Sequence, residues 1–315
     1  MRTSLVLALV LALSRPSAAA EPRLITVATA RSALVLVVAK DGRLHQLGYG
    51  RNRSLTIPDK LALEDDAYPT AGNGFVAEPA LQVVHGDGNT STDLMFVGHE
   101  VRASGNVQHT QIRLKDRFYP FFVTLHFEAF RDEDVIRQWV ELRHDEAQPV
   151  VLSRFASAAP VIDARGEAWL TQLQGDYMRE AELVEERLTP GIKLLDSKLG
   201  VRAHQRRNPS FLLSLGGPAQ EESGEVIGGT LAWSGNFQLA FEVDQARRLR
   251  ALCGINPFGA QYRLPPGKTF TTPAMLWTWS DAGKGPVSRN LHRWARRHGI
   301  RDGDQPRPVL LNNWE

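Results

Sequence analysis

Apolar positions in this chain alternate with polar ones over long stretches. Val123, Leu125, Phe127 and Ala129 interleave with Thr124, His126 and Glu128, a period of two that predicts a strand with one buried face. Arg131–Asp134 then reads as a charged turn, and Ile136, Val140 and Leu142 lie on a returning strand. His126 falls on the polar face, where a solvated imidazole is expected rather than a ligand. Ala33–Val38 is a continuous apolar run; Asp41-Gly42 turns the chain and Leu44, Leu47 and Tyr49 come next, a hairpin signal. Ser234-Gly235-Asn236 joins Leu231–Trp233 to Phe237–Val243, where Phe237, Leu239, Phe241 and Val243 alternate with Gln238, Ala240 and Glu242. Such short strands recur between Gly, Pro and Asn turns, with no internal repeat. They predict a mainly β chain, a large antiparallel sandwich.

The period changes once, near the end. Leu291, Trp294, Ala295 and His298 form a stripe at helical spacing, so Val287–His298 is expected to be a helix. Pro286 suits its start, Ser288 is a candidate cap and Gly299 its stop. Arg293, Arg296, Arg297 and His298 gather toward its C-terminal end, where the helix dipole favours positive charge. This basic cluster is therefore assigned to helix electrostatics and surface, not to phosphate or nucleic acid. A polar Gly/Pro linker, Arg301–Arg307, leads to the final nine residues, Arg-Pro-Val-Leu-Leu-Asn-Asn-Trp-Glu. The aliphatic run Val309–Leu311 is what a strand buried on both faces looks like. Residues just past such a strand lie where a parallel α/β barrel builds its active site. A parallel strand also needs a crossover and a neighbour. The expectation is thus a sandwich over residues 21–306, and over 307–315 the first strand of a (β/α)8 barrel that is truncated in this chain.

Composition narrows the class. At 315 residues and 43% hydrophobic, the chain can bury a large core. The formal charge is +2, with Lys/Arg and Asp/Glu interspersed, which argues against nucleic-acid binding by electrostatics. Arg2, the apolar stretch Leu5–Leu13 and Ala18-Ala19-Ala20 read as a secretory signal over residues 1–20, with a mature start near Glu21. That stretch is too short to span a bilayer, so a secreted or periplasmic protein with no membrane anchor after cleavage is expected. Cys253 is the one cysteine, so no internal disulfide forms; in Leu-Cys-Gly-Ile it reads as a buried, inert thiol.

Few familiar catalytic signatures are present. His99-Glu100 begins a zinc-like pattern, but the second histidine would fall at Ala103 and His109 is out of register, so no metal is assigned. There is no phosphate loop, no dinucleotide fingerprint and no Gly-x-Ser-x-Gly elbow, and no cofactor is expected.

A series of segments does carry a resemblance when taken in order. Tyr68-Pro69, Gly72-Asn73-Gly74 and Glu78-Pro79-Ala80 come first, then Asp93–Glu100. Ser234–Phe237, Gly254–Pro257, Leu264–Gly267, Phe270–Pro273 and His292-Arg293-Trp294 come later, and Asn312-Asn313-Trp314-Glu315 closes the series. From about Leu24 to Glu315 the chain resembles the α-galactosidases of glycoside hydrolase family 36, through their N-terminal β-supersandwich domain and first barrel strand. The resemblance implies a retaining hydrolase for terminal α-D-galactose, acting on oligosaccharides or galactomannan side chains. It implies two catalytic aspartates on later barrel strands, beyond Glu315, so no residue here is catalytic and the fragment is not expected to turn over substrate. It implies a homo-oligomer, a tetramer in the family.

Two residues are singled out as substrate contacts. The family's tryptophan in this last motif lines the galactose pocket, which falls on Trp314; an aromatic ring stacks on the C–H face of a sugar. A core tryptophan at a strand end is the alternative. The family also places an aspartate shortly before Tyr-Pro, reaching into a neighbouring subunit's active site, which falls on Asp65. Its companion arginine, in an Asp-Phe-Arg run, is missing, because the aligned residues are Phe75-Val76-Ala77. The alternative for Asp65 is an ordinary acidic loop residue in Glu64-Asp65-Asp66. Two functions therefore compete: the front of an exported α-galactosidase-like (or α-N-acetylgalactosaminidase-like) enzyme, and a stand-alone sandwich that binds carbohydrate or supports assembly.

Overall fold

The computed structural model describes residues 21–202 and 206–313; the expected signal segment, Trp314 and Glu315 lie outside them. Among the described residues the chain is mainly β, and the pairings between its named strands are antiparallel. The largest sheet has ten strands. In order of neighbours they are Glu182–Arg187, Ala168–Gln174, Arg207–Leu215, Glu225–Leu231, Met275–Ser280, Val135–His144, Phe121–Phe130, Val107–Asp116 and Leu94–Ser104, with Thr269–Thr271 also on Val135–His144. A seven-stranded sheet runs Gly191–Asp196, Phe237–Val243, Leu249–Ile255, Val150–Ala158, Tyr262–Leu264. Val161–Ile162 and Leu81–Val84 pair off that path. A three-stranded sheet, Arg23–Ala28, Ser32–Val38 and Leu44–Arg51, completes the fold.

The two large sheets share one core. Alternation puts Phe121, Val123, Leu125, Phe127 and Ala129 on an inner face, each at most 1% exposed. Phe237, Leu239 and Phe241 do the same from the other sheet. Edge-to-face rings stitch the layers: Phe211 meets Phe241 at 4.8 Å and 81°, and Phe155 meets Phe270 at 4.8 Å and 71°. The expected hairpin around Asp41-Gly42 is present, with Gly42 at φ 85°. Cys253 is fully buried and burial pushes its thiol up, as an inert core residue requires.

The Ser234-Gly235-Asn236 connection joins Glu225–Leu231 of the ten-stranded sheet to Phe237–Val243 of the seven-stranded one. The chain crosses the sandwich there. His126 does lie on the polar face, but it is 5% exposed and not solvated. Its ring is stacked on Trp139 at 4.8 Å and 5°, and its Nδ1 lies 3.2 Å from His109 Nε2. Burial therefore holds its pKa below the usual histidine value.

The helix, α1, begins three residues earlier than expected. It spans Lys284–Trp294 and continues as a π-helical turn, Ala295–Gly299. Gly283 is its N-cap at φ 90°, where a side chain would strike the Glu221 carbonyl at 2.5 Å. Pro286 is thus the third helical residue and Ser288 is interior, not a cap; its hydroxyl lies 3.4 Å from the Lys284 carbonyl. The buried stripe is Gly285, Val287 and Asn290, shifted from the predicted Leu291, Trp294, Ala295 and His298. After the π-turn, residues 307–313 form no strand, and Val309, Leu310 and Leu311 are 101%, 87% and 86% exposed. A barrel strand is thus not formed among the described residues.

Candidate functional site at the Asp65 turn

Asp65 ends a single 3-10 turn, Leu63–Asp65, on the edge of the sandwich. The turn closes on itself. The Ala62 N–H donates to Asp65 Oδ2 at 2.9 Å, and the Asp65 N–H donates to the Ala62 carbonyl at 3.0 Å. The other carboxylate oxygen lies 3.9 Å from Arg248 Nη1. Arg248 is itself held by Asp244, which accepts from its N–H and its Nε, each at 2.8 Å. Asp65 therefore caps its own turn and lies at the rim of a partly exposed charge cluster with Arg248 and Asp244.

The turn is nailed to the sandwich from below. Arg250, 6% exposed, donates Nη2 to the Glu64 carbonyl and Nη1 to the Ala159 carbonyl, each at 2.6 Å. Its guanidinium stands 5.7 Å from the Phe75 ring. Burial pulls this guanidinium down to about 10, against the pull of Asp66, so it stays charged at neutral pH. Asp66 is the second peg. It is 6% exposed, with Oδ1 3.2 Å from His45 Nδ1 and Oδ2 3.7 Å from Arg43 Nη1. Burial pushes its carboxyl up to about 7, although Arg43 and Arg250 pull the other way; burial likewise holds His45 below its usual value. Arg43 also pairs with Asp93.

The hollow beside the turn, bounded by Glu64, Phe75, Glu242, Arg248 and Arg250, holds about 30 Å³. That is room for one water, whereas a ligand pocket is roughly ten times larger. This edge can present a carboxylate and a guanidinium to a ligand, but it cannot enclose a sugar ring. Val76, in the run that lacks the arginine, is 91% exposed.

The other landmark segments are structural. Tyr68 is buried and donates its hydroxyl to the Ala156 carbonyl at 2.7 Å. Gly72 has φ 90° and any side chain there would overlap Ser91. Glu78 pairs with Arg154, and Asn256 donates to Asp196 and to the Ser197 carbonyl. Glu100 accepts from Arg113 at 2.6 Å and Arg102 at 3.0 Å. Phe75 of the 72–80 segment shares Arg250 with the Asp65 turn, whereas Tyr68 is buried against Ala156. Arg248, Arg250 and Asp66, which hold Asp65 in place, carry no motif that sequence reasoning could seize on. Alternation around Leu249 and Ala251 does mark Arg250 as an odd charge within an apolar strand, the one available signal.

The family model for the glycosyl hydrolase family 36 N-terminal domain matches residues 40–265. The chain belongs to glycosyl hydrolase family 36. The α-galactosidase AgaA of Geobacillus stearothermophilus is 32% identical over 265 residues, covering 79% of this chain and 36% of that protein. α-Galactosidase C of Emericella nidulans is 30% identical over 267 residues, again 79% of this chain and 35% of its own. Among solved structures, the Lactobacillus brevis α-galactosidase superposes with a TM-score of 0.84 at 25% identity, over 92% of this chain and 44% of that one. A variant of the Geobacillus AgaA in complex with raffinose gives 0.84 at 26%, over 93% and 46%. This family 36 chain therefore spans about a third of the length of the curated relatives it matches.

Proposed function

We propose that the chain is the N-terminal part of an exported, retaining α-galactosidase-like hydrolase, whose leader is removed near Glu21 and whose barrel begins at Arg307–Glu315. The observation that carries this reading is the exposure of Val309, Leu310 and Leu311 in the segment that follows α1 and its π-turn. Three adjacent aliphatics in water are unfavourable by roughly 1.5–3 kcal/mol each relative to burial, so this segment calls for a covering surface. A barrel wall supplies one on both faces. The named relatives are α-galactosidases, and two neighbouring structures hold raffinose and stachyose, which supports a galactose-bearing oligosaccharide as substrate.

In this reading chemistry falls to two carboxylates of the barrel, one attacking the anomeric carbon and the other acting as acid and then base. This chain contributes binding. Trp314 stacks on the sugar, and Asp65, held by Arg248 and the Ala62 N–H, accepts a sugar hydroxyl across a subunit boundary of a homo-oligomer. Residues 1–315 alone are inactive. The test is to read the coding frame past Glu315 and assay its product on 4-nitrophenyl α-D-galactopyranoside and the N-acetyl-galactosaminide. Hydrolysis by the longer protein, and none by residues 1–315, is expected. A longer product that folds and cleaves neither glycoside would refute the reading.

A further inference from the structure

The charged turn Arg131–Asp134 exposes Arg131 and Asp132 but buries Glu133 and Asp134. Asp134, at φ 54°, accepts from Thr29 Oγ1 at 2.9 Å and from the Arg31 N–H at 2.8 Å. The Arg131 N–H donates to the Asn106 carbonyl at 3.0 Å, which ties in the neighbouring hairpin. Between them Glu133 has no exposed surface at all. A carboxylate buried at a turn is strongly unfavourable without partners. Its partners come from the far end of the sequence. Arg297 Nη1 donates to Glu133 Oε1 at 2.7 Å, His298 Nε2 lies 3.6 Å away, and Asn106 Nδ2 lies 3.4 Å from Oε2. Burial opposes ionisation of Glu133, but the Arg297 hydrogen bond and the charges of His298 and Arg297 outweigh it and hold the carboxyl below its ordinary value.

Arg297 and His298 both belong to the π-helical turn. A π-turn inserts one residue, which rotates the later side chains by about 100° relative to an α-helix. That rotation turns two consecutive side chains toward one carboxylate. The same turn closes on Phe130, whose ring meets Trp294 at 5.7 Å and 86° and His298 at 4.6 Å and 48°. Ile300 then leaves in extended conformation. A turn over Arg301–Asp304 follows at once and brings Gly303 back against the Arg296 carbonyl, so the π-turn is the seat on which the departing chain rests.

We propose that Glu133 is a positioning residue that, through Arg297 and His298, holds the π-turn on which the departing segment Ile300–Asn313 is seated. The catalytic consequence rests on the reading given under Proposed function; the seating itself does not. The first test therefore needs no substrate. In the 1–315 protein, Glu133→Gln should speed tryptic cleavage after Arg296 and Arg301 by tenfold or more, and remove hydrogen-exchange protection from Ala295–Gly299. Protection of the ten-stranded sheet should stay unchanged. Arg297→Gln alters a half-exposed partner, so the fold survives, and it should reproduce both effects. Unchanged cleavage and exchange in Arg297→Gln overturn the proposal, whatever the activity. In the longer enzyme both variants should raise KM for raffinose severalfold with the melting of the sandwich unmoved, and an unchanged KM and kcat in an active enzyme would overturn the positioning role. If instead the longer protein cleaves no galactoside while the proteolysis result holds, the galactosidase reading fails and the seating stands.

Discussion

The seat of α1 can be tested at Gly228. This residue sits mid-strand in Glu225–Leu231, and a Cβ built there would lie 2.3 Å from Val287 Cγ1, 3.3 Å from Thr278 Cγ2 and 3.4 Å from Leu212 Cδ2. Carbon atoms prefer about 3.5–4.0 Å, so Gly228→Ala drives the helix outward by more than about 1 Å or forces Val287 off its rotamer. Overpacking of this kind costs about 1–3 kcal/mol. Removing a glycine from a strand returns about 0.5–1 kcal/mol through the unfolded chain. The net expectation is a loss of about 0–2.5 kcal/mol. Val287 is fully buried, and Val287→Ala alone removes two methyl groups, a loss of about 1.5–2.5 kcal/mol. In the double variant the new methyl enters the space that valine vacates. The two losses should then fall short of additive by about 1 kcal/mol or more. Urea denaturation of the four proteins, monitored by tryptophan fluorescence, measures the cycle. Additivity within about 0.5 kcal/mol would refute the claim that this glycine exists to admit the helix.

Buried groups elsewhere give three more tests. Burial favours the neutral form of Asp66, raised from 3.8 to about 7, so its contribution is full below pH 3.8 and lost as pH rises through about 7. Asn mimics the neutral acid, so Asp66→Asn should match wild type near pH 4 and exceed it at pH 8, by at most about 4 kcal/mol. Equal stabilities at pH 8, where His45 is held below its usual value and is neutral in both proteins, would show that burial is not the cause. Tyr68→Phe should lose about 1–2 kcal/mol through the orphaned Ala156 carbonyl, yet leave KM of the longer enzyme unchanged. Cys253 should react with an aromatic disulfide reagent only at the rate of unfolding; rapid labelling of the native protein would contradict its burial.

Strand identity is legible in the sequence wherever one face is buried. Alternation over 123–129 places both the strand and its inner side chains correctly, because side-chain direction is a local property of extended backbone. It does not say which sheet a strand joins. The turn after Leu231 is legible, but not that it joins two sheets: Glu225–Leu231 pairs with Arg207–Leu215 and Met275–Ser280, set by contacts across the whole domain. His126 shows the same limit. Parity gives the face, but burial depends on what neighbouring strands place beside it, here His109 and Trp139. At the Asp65 turn, the motif points to the residue and not to its holders. Glu64-Asp65-Asp66 reads as one acidic run, yet Asp65 faces an arginine at the surface while Asp66 is sealed beneath. The Gly228-Gly229 pair is readable in principle, since two glycines inside a strand signal close approach on both faces. Gly228 faces Val287, and a side chain on Gly229 would meet the Phe211 ring at 2.5 Å.

These contacts fix more than stability. Val287 is seated at Gly228 and Arg297 at Glu133, ten positions apart, or about 15 Å along the helix axis. A rod held at two points cannot swing, and the packing of Trp294 on Phe130 between them opposes rotation about the axis. A swing of about 10° at the helix end would move a point about 20 Å beyond it by roughly 3.5 Å, whereas about 1 Å already degrades a catalytic geometry. The seat of the π-turn, and of the chain that leaves it, therefore depends on two residues distant from it in sequence. One is a glycine that lets the helix approach. The other is a glutamate whose burial is tolerable only while Arg297 and His298 stay in place.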